Sequence, residues 1–165
     1  MTEENNQAAA PETTPGFAIQ RIYLKDISFE TPMGLEALAK TSKPAIQQDM
    51  NIQVAKVGDS VFEIVLLLTI TARIENRAVF LVEIKQAGLF TISGIEGPQL
   101  SHTIHSACPQ ILFPYAREAV DSILIRGGFP PLLLPPINFD AVFVQAIEAA
   151  KKDAEAQAEP AATVN

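Results

Sequence analysis

His102, His105 and Cys108 follow one another at three-residue spacing, and imidazole and thiolate are the ordinary ligands of zinc. On a helix, successive members of such a set turn by about 300°, so the three fan out over about 120° of the circumference. These are all the histidines and cysteines in the chain, so a fourth donor would have to be a distant carboxylate. The set therefore reads as two polar histidines on a helix face and one buried thiol. Ser101 and Ser106 lie in the same stretch. A serine, a histidine and an acid could form an acyl-transfer triad, but closeness along one helix does not create that geometry. No glycine spacing cradles a phosphate or a dinucleotide, no Gly-x-Ser-x-Gly elbow is present, and the carboxylates are scattered. No residue set supplies a nucleophile with a base, so the sequence points away from an enzyme, from a bound metal and from a cofactor.

The elements that carry these residues divide the chain in two. Residues 17–29 have high β propensity but imperfect alternation: Ile19, Tyr23, Ile27 and Phe29 share one parity, Ile22 and Leu24 the other. Either both faces are covered or a bulge switches them. Residues 31–44, with Pro32, Gly34 and Pro44, are too long for a hairpin loop and are expected to cross the sheet. Residues 46–54 alternate strictly, with Ile46, Gln48, Met50, Ile52 and Val54 on one face of a half-buried strand. Turn chemistry at residues 57–60 leads into residues 61–72, apolar on both faces and so central in a sheet. Glu75, Asn76 and Arg77 turn the chain into a last strand over residues 79–92, where Gly88 marks an expected bulge or bend. Short turns between consecutive strands imply antiparallel pairing.

From Pro98 the period becomes helical, with Leu100, Ile104, Ala107, Ile111, Tyr115, Ala119 and Ile123 recurring every three or four residues up to Gly127 and Gly128. Pro109 and Pro114 within this helix predict a kink or a break. Four prolines between residues 130 and 136 predict an extended apolar loop, and Asn138 or Asp140 is the expected cap of a second helix striped by Phe139, Val142, Phe143, Ala146, Ile147 and Ala150. Strands first and helices last give an α+β fold: a four-stranded antiparallel sheet with two helices packed on one face.

The 165 residues make one domain, with a folded part over residues 17–150. Residues 1–16 and 151–165 are poor in large apolar side chains and are expected to be disordered tails. A net charge of −7 argues against nucleic acid and against an anionic membrane surface, and it suits a partner that brings positive charge. The single cysteine allows no disulfide within the chain. The start Met1-Thr2-Glu3-Glu4 lacks a basic and apolar leader, and residues 61–70 are too short and too interrupted, by Glu63 and Thr69, to span a bilayer. A cytoplasmic location without membrane insertion is the expectation.

The run Arg21-Ile22-Tyr23-Leu24-Lys25-Asp26-Ile27-Ser28-Phe29-Glu30 resembles the first-strand signature of the SecB protein-export chaperones. Gly94-Ile95-Glu96-Gly97 and Cys108-Pro109-Gln110-Ile111-Leu112-Phe113-Pro114-Tyr115-Ala116-Arg117-Glu118 resemble that family's central motifs, and Pro136-Ile137-Asn138-Phe139-Asp140 the entry to its last helix. The resemblance spans residues 17–147 without an evident insertion. It implies a tetramer, a dimer of dimers, whose first long helices are sandwiched between sheets; Ile104, Ile111 and Tyr115 would then lie at an oligomer interface. It also implies an ATP-independent holdase that binds unfolded precursor polypeptides, keeps them translocation-competent and hands them to the export motor ATPase SecA. By position, Asp26, Glu30, Leu81 and Glu83 would form the acidic docking face for that motor. Phe29, Ile46, Met50, Phe80, Phe143 and Ile147 would line the apolar client groove. The family often places an aromatic residue in the crossover connection; residues 40–44 carry Thr41 and Ser42 there, which implies a shallower groove. From composition alone an ordinary solvated sheet face is the better reading of the acidic residues, and only the resemblance reverses it; a groove lined by Leu and Phe could instead hold a small apolar ligand, or be a plain interaction module.

Overall fold

A computed structural model describes residues 15–39 and 42–158. Four strands, β1 (Gly16–Glu30), β2 (Ala45–Lys56), β3 (Val61–Ile74) and β4 (Arg77–Ser93), form one antiparallel sheet in the order β1-β4-β3-β2. A short helix, α1 (Leu35–Ala39), lies in the crossover between the two edge strands. After the sheet come α2 (Gly97–His102), a π-helical turn (Thr103–Ala107), α3 (Cys108–Arg126) and, beyond the proline-rich loop, α4 (Phe139–Ala158). The hairpin between β3 and β4 has Glu75 and Asn76 both at positive φ, the paired left-handed conformation that matches strand twist.

Two bulges in β1 resolve its broken alternation. Its register against β4 shifts between Ile19 and Arg21 and again between Leu24 and Asp26, so Gln20 and Lys25 are the extra residues. Each bulge inverts the parity. Phe17, Ile19, Ile22, Leu24, Ile27 and Phe29 therefore all pair with helix-facing positions of β4, while Arg21, Tyr23, Asp26, Ser28 and Glu30 face the other way. The buried Gln86 side chain donates to the Tyr23 carbonyl at 2.9 Å, satisfying a backbone oxygen beside the second bulge. Gly88 is not a bulge: it stays in register with both Ile22 and Ile64. A side chain there would overlap the Phe90 ring, so glycine is required by close packing.

The core lies between the sheet and α3. Ile64, Leu66, Leu68 and Ile70 of β3 and Val82, Ile84 and Phe90 of β4 pack under Cys108, Leu112, Phe113, Ala116, Val120 and Leu124. The long helical segment passes both prolines without breaking. Ahead of Pro109 the Cys108 N–H reaches back five residues to the Thr103 carbonyl, and this wider turn absorbs the proline that a regular helix would reject. Pro114 sits on the exposed face of α3, where water can serve the carbonyl left without a donor. Gly128, at φ +83°, ends the helix. α4 runs eight residues past the boundary drawn at Ala150, through a stretch in which all but Asp153 are the strong helix formers Ala, Lys, Glu and Gln. Residues 1–14 and 159–165 of the expected tails lie outside the described residues.

Candidate polypeptide-binding surfaces

The helix-facing side of β2 leaves two apolar clefts open. One, of about 420 Å³, lies between Met50 and Ile52 of β2 and Val142, Phe143, Ala146 and Ile147 of α4, with Ser101 and His105 at its end. The other, of about 470 Å³, is walled by Leu38 of α1, Ile46, Phe80, Phe129 and Leu132. The six expected groove residues are thus divided. Met50, Phe143 and Ile147 belong to the first cleft, and Ile46 and Phe80 to the second, with Phe80 buried as its floor. Phe29 lines neither. Its ring stands edge-on to Phe129 at 6.2 Å and covers Gly127 so closely that a Cβ there would overlap it. Phe129 in turn packs on Phe80 at 5.1 Å, so Phe29 supports the wall from behind.

Sequence reasoning missed the parts of the second cleft contributed by loops. Leu35 and Leu38 stand exposed on α1, and α1 is tied to the β3–β4 hairpin by a two-bonded ion pair, Arg77 to Glu36, at 2.9 Å for each bond. The proline-rich loop is held by Asp121 of α3, which accepts from the Leu132 and Leu133 backbone N–H groups at 2.9 and 3.2 Å. Nothing in the sequence flags Asp121; Leu35 and Leu38 show a three-residue apolar spacing too short to weigh. Of the two polar replacements in the crossover, Ser42 borders this cleft and Thr41 lies outside the described residues.

The opposite face of the sheet is polar at its rim. In-register pairs place Asp26 beside Lys85, Ser28 beside Glu83 and Glu30 beside Leu81, so the four expected docking residues form one continuous patch. Within it the Lys85 ammonium stands 3.6 Å from the Asp26 carboxylate. Glu83 has the Ser28 hydroxyl nearby, at 3.5 Å. At the far end of the same face Glu63 accepts from Lys25 at 2.7 Å and from the Tyr23 hydroxyl. Lys25 first and Tyr23 second hold the Glu63 carboxyl below its ordinary range, and the Glu63 contact raises the Tyr23 phenol above its own.

The three expected interface residues also part company. Tyr115 is 51% exposed on α3 and Ile111 is half-buried, but Ile104 is 6% exposed and packs in the core. Within the single chain Ile104 therefore lies in the core, in the π-helical turn ahead of α3. Exposed apolar residues that do accompany Tyr115 are Ile125 on α3 and Leu24 and Ile27 on the edge strand β1.

The histidines, the serines and Cys108 form no reactive group among the described residues. Cys108 is fully buried, and burial pushes its thiol up to about 12. His105 donates from Nδ1 to the Ser101 carbonyl at 2.9 Å. Asp140 Oδ1 accepts from Ser106 Oγ at 2.5 Å and contacts His102 Nε2 at 2.8 Å. The acid stands between serine and histidine, so no base touches the hydroxyl and the order needed for a nucleophile is inverted. Asn138, not Asp140, caps α4, its side-chain oxygen accepting from the Ala141 N–H at 3.1 Å. Among the described residues no group of three metal-binding side chains converges, and no helix is long and apolar enough to cross a membrane.

Both surfaces lie on a chain whose family is one of protein-export chaperones, not of enzymes. A family described as preprotein translocase subunit SecB matches residues 10–150, and the chain belongs to the SecB family. It is 65% identical to the protein-export protein SecB of Cellvibrio japonicus, with all of both chains covered. It is 52% identical to that of Saccharophagus degradans, covering 92% of this chain and 94% of the relative. Among solved structures, the Mycobacterium tuberculosis SecB-like chaperone Rv1957, determined with a peptide from the HigA1 antitoxin, shares the fold at a TM-score of 0.58. The identity there is 20%, over 73% of this chain and 87% of that one. Membership assigns this chain a chaperone role in protein export.

Proposed function

We propose that the chain is an ATP-independent holdase of the cytoplasm. It binds unfolded precursor polypeptides in the two clefts along β2, keeps them competent for translocation and delivers them to SecA. The observation that carries this reading is the pair of apolar clefts left open beside β2 and walled by α1, α4 and Phe129. Each client Phe or Leu that leaves water for such a cleft gains about 1.5–3 kcal/mol. Three or four anchors give about 5–10 kcal/mol gross, from which ordering and association costs are subtracted. One groove alone is weak; a dimer of dimers presents several and adds avidity. A folded client hides its anchors, so capture selects slow folders. Release requires a competitor, and Asp26, Glu30, Leu81 and Glu83 on the opposite face dock the motor that provides it.

Exposed Tyr115, Ile125, Leu24 and Ile27 supply apolar surface for assembly of the tetramer. Light scattering of the purified protein, alone and with a precursor held unfolded, tests the whole reading. The expected result is the mass of four chains, rising by one client only when the client is unfolded. A monomer, or equal binding of the folded client, would overturn it.

A further inference from the structure

α4 forms one wall of the first cleft, and among its described residues the covered ones, Phe139 and Phe143, lie in its first two turns. Phe139, 1% exposed, stands edge-on to the Phe113 ring at 5.8 Å. Residues 144–155, by contrast, are all exposed. A helix rises about 1.5 Å per residue, so Ala150 stands about 15 Å beyond Asp140, and a swing of about 10° at the first turn would move it by about 3 Å. Whatever fixes the first turn therefore fixes the width of the cleft.

We propose that Asp140 is the positioning residue of this cleft: by taking Ser106 and His102 on one carboxylate oxygen, it sets the angle at which α4 stands over β2. The proposal rests on reading the cleft as a client site. Three observations carry it. Ser106 is 1% exposed, and its hydroxyl donates to Asp140; a buried hydroxyl without an acceptor is costly. His102, held by the same oxygen, lies edge-on to Phe143 at 5.4 Å. His105, fixed by its bond to the Ser101 carbonyl, stacks on that same ring at 6.2 Å and 15°. Phe143 is thus held between two oriented imidazoles, and it is the α4 residue that lies deepest in the wall. The π-helical turn that carries Ser106 is also the main surface on which α4 rests. The bonds from Ser106 first and His102 second hold the Asp140 carboxyl below its ordinary range, as a charged clasp requires.

The test uses the full chain with spin labels at Gln53→Cys and Glu148→Cys, both exposed; buried Cys108 does not compete for the label. The β2–α4 distance is read by pulsed electron resonance. Binding is read with a fluorescein-labelled peptide of alternating leucine and serine flanked by lysines. Asp140→Ala is expected to broaden the distance distribution and weaken the peptide severalfold. Asp140→Asn, which keeps an oxygen for Ser106, is expected to restore most of both. Ser106→Ala, free of any unsatisfied buried hydroxyl, provides a second variant should Asp140→Ala fold poorly, and is expected to broaden the distance likewise. An unchanged distance in Ser106→Ala and Asp140→Ala would overturn the positioning role. A broadened distance with unchanged peptide affinity would sustain it and overturn the assignment of this cleft to clients.

Discussion

Replacing Lys85 by glutamine should strengthen docking of the export motor, because Lys85 is a cation set inside an acidic surface. Its ammonium lies 3.6 Å from Asp26 Oδ2, with both side chains about half exposed. Among the described residues Asp26 is the acid of that patch with a cation at hand, while Glu83 has the Ser28 hydroxyl. A basic group of the motor about 7 Å from Lys85 is repelled by about 0.6 kcal/mol in a water-like dielectric. Freeing Asp26 for a new surface pair adds about 0.2–1 kcal/mol. The sum, about 1 kcal/mol, is roughly a fivefold gain in affinity at low salt. Near molar salt, where the screening length falls to about 3 Å, the gain should vanish. Titration calorimetry with SecA in both salts reads this directly. A double-mutant cycle adds a second criterion: Asp26→Asn should cost more in the Lys85→Gln background than alone. Unchanged affinity in low salt, or equal costs of Asp26→Asn in the two backgrounds, would refute the reasoning.

Glu63→Gln should destabilise the fold by about 1–2 kcal/mol near neutral pH, the scale of hydrogen bonds to a charged acceptor. Because its carboxyl is lowered in the fold, the contribution is fully present above the ordinary value of 4.5 and is lost as pH falls through the depressed one, so denaturant melts of variant and parent should converge in strong acid. Cys108, with its thiol pushed up to about 12 by burial, should resist a disulfide reagent in the native protein at pH 8 and react at once in denaturant; rapid native reaction would show that α3 opens locally.

Much of the sheet was legible in residue order because its β2–β3 hairpin follows simple rules. The strict alternation over 46–54 places Ile46, Met50, Ile52 and Val54 opposite Ala72, Leu68, Leu66 and Ile64, in an unbroken register. In β1 the same rule left both faces open, since parity is conserved only between bulges. Gln20 and Lys25 each invert it, and Tyr23 joins the outer face although it shares parity with Ile19 and Phe29. The helical segment misled for a related reason. The π-helical turn changes the phase between Ile104 and Ile111, so the two differ in depth, Ile104 within the core and Ile111 half-buried against it. Of the surfaces, the outer patch was legible through a family resemblance and not through charge alone. The clefts were legible only in part: Phe129, Leu132 and Leu38 reach them from a proline-rich loop and a five-residue helix, where neither period applies. The clasp at Asp140 joins residues 34 positions apart in the chain, and no local pattern signals it.

Photo-crosslinking from inside the clefts tests the central claim most directly. A photoreactive phenylalanine at Val142 or Leu38 reports on the two apolar walls, and one at Thr69, on the opposite face beside Glu83, is the control. With the same client supplied unfolded and folded, both cleft positions should capture the unfolded form alone, and Thr69 neither. Capture of the folded client to the same extent, or of the unfolded client only from Thr69, would contradict it.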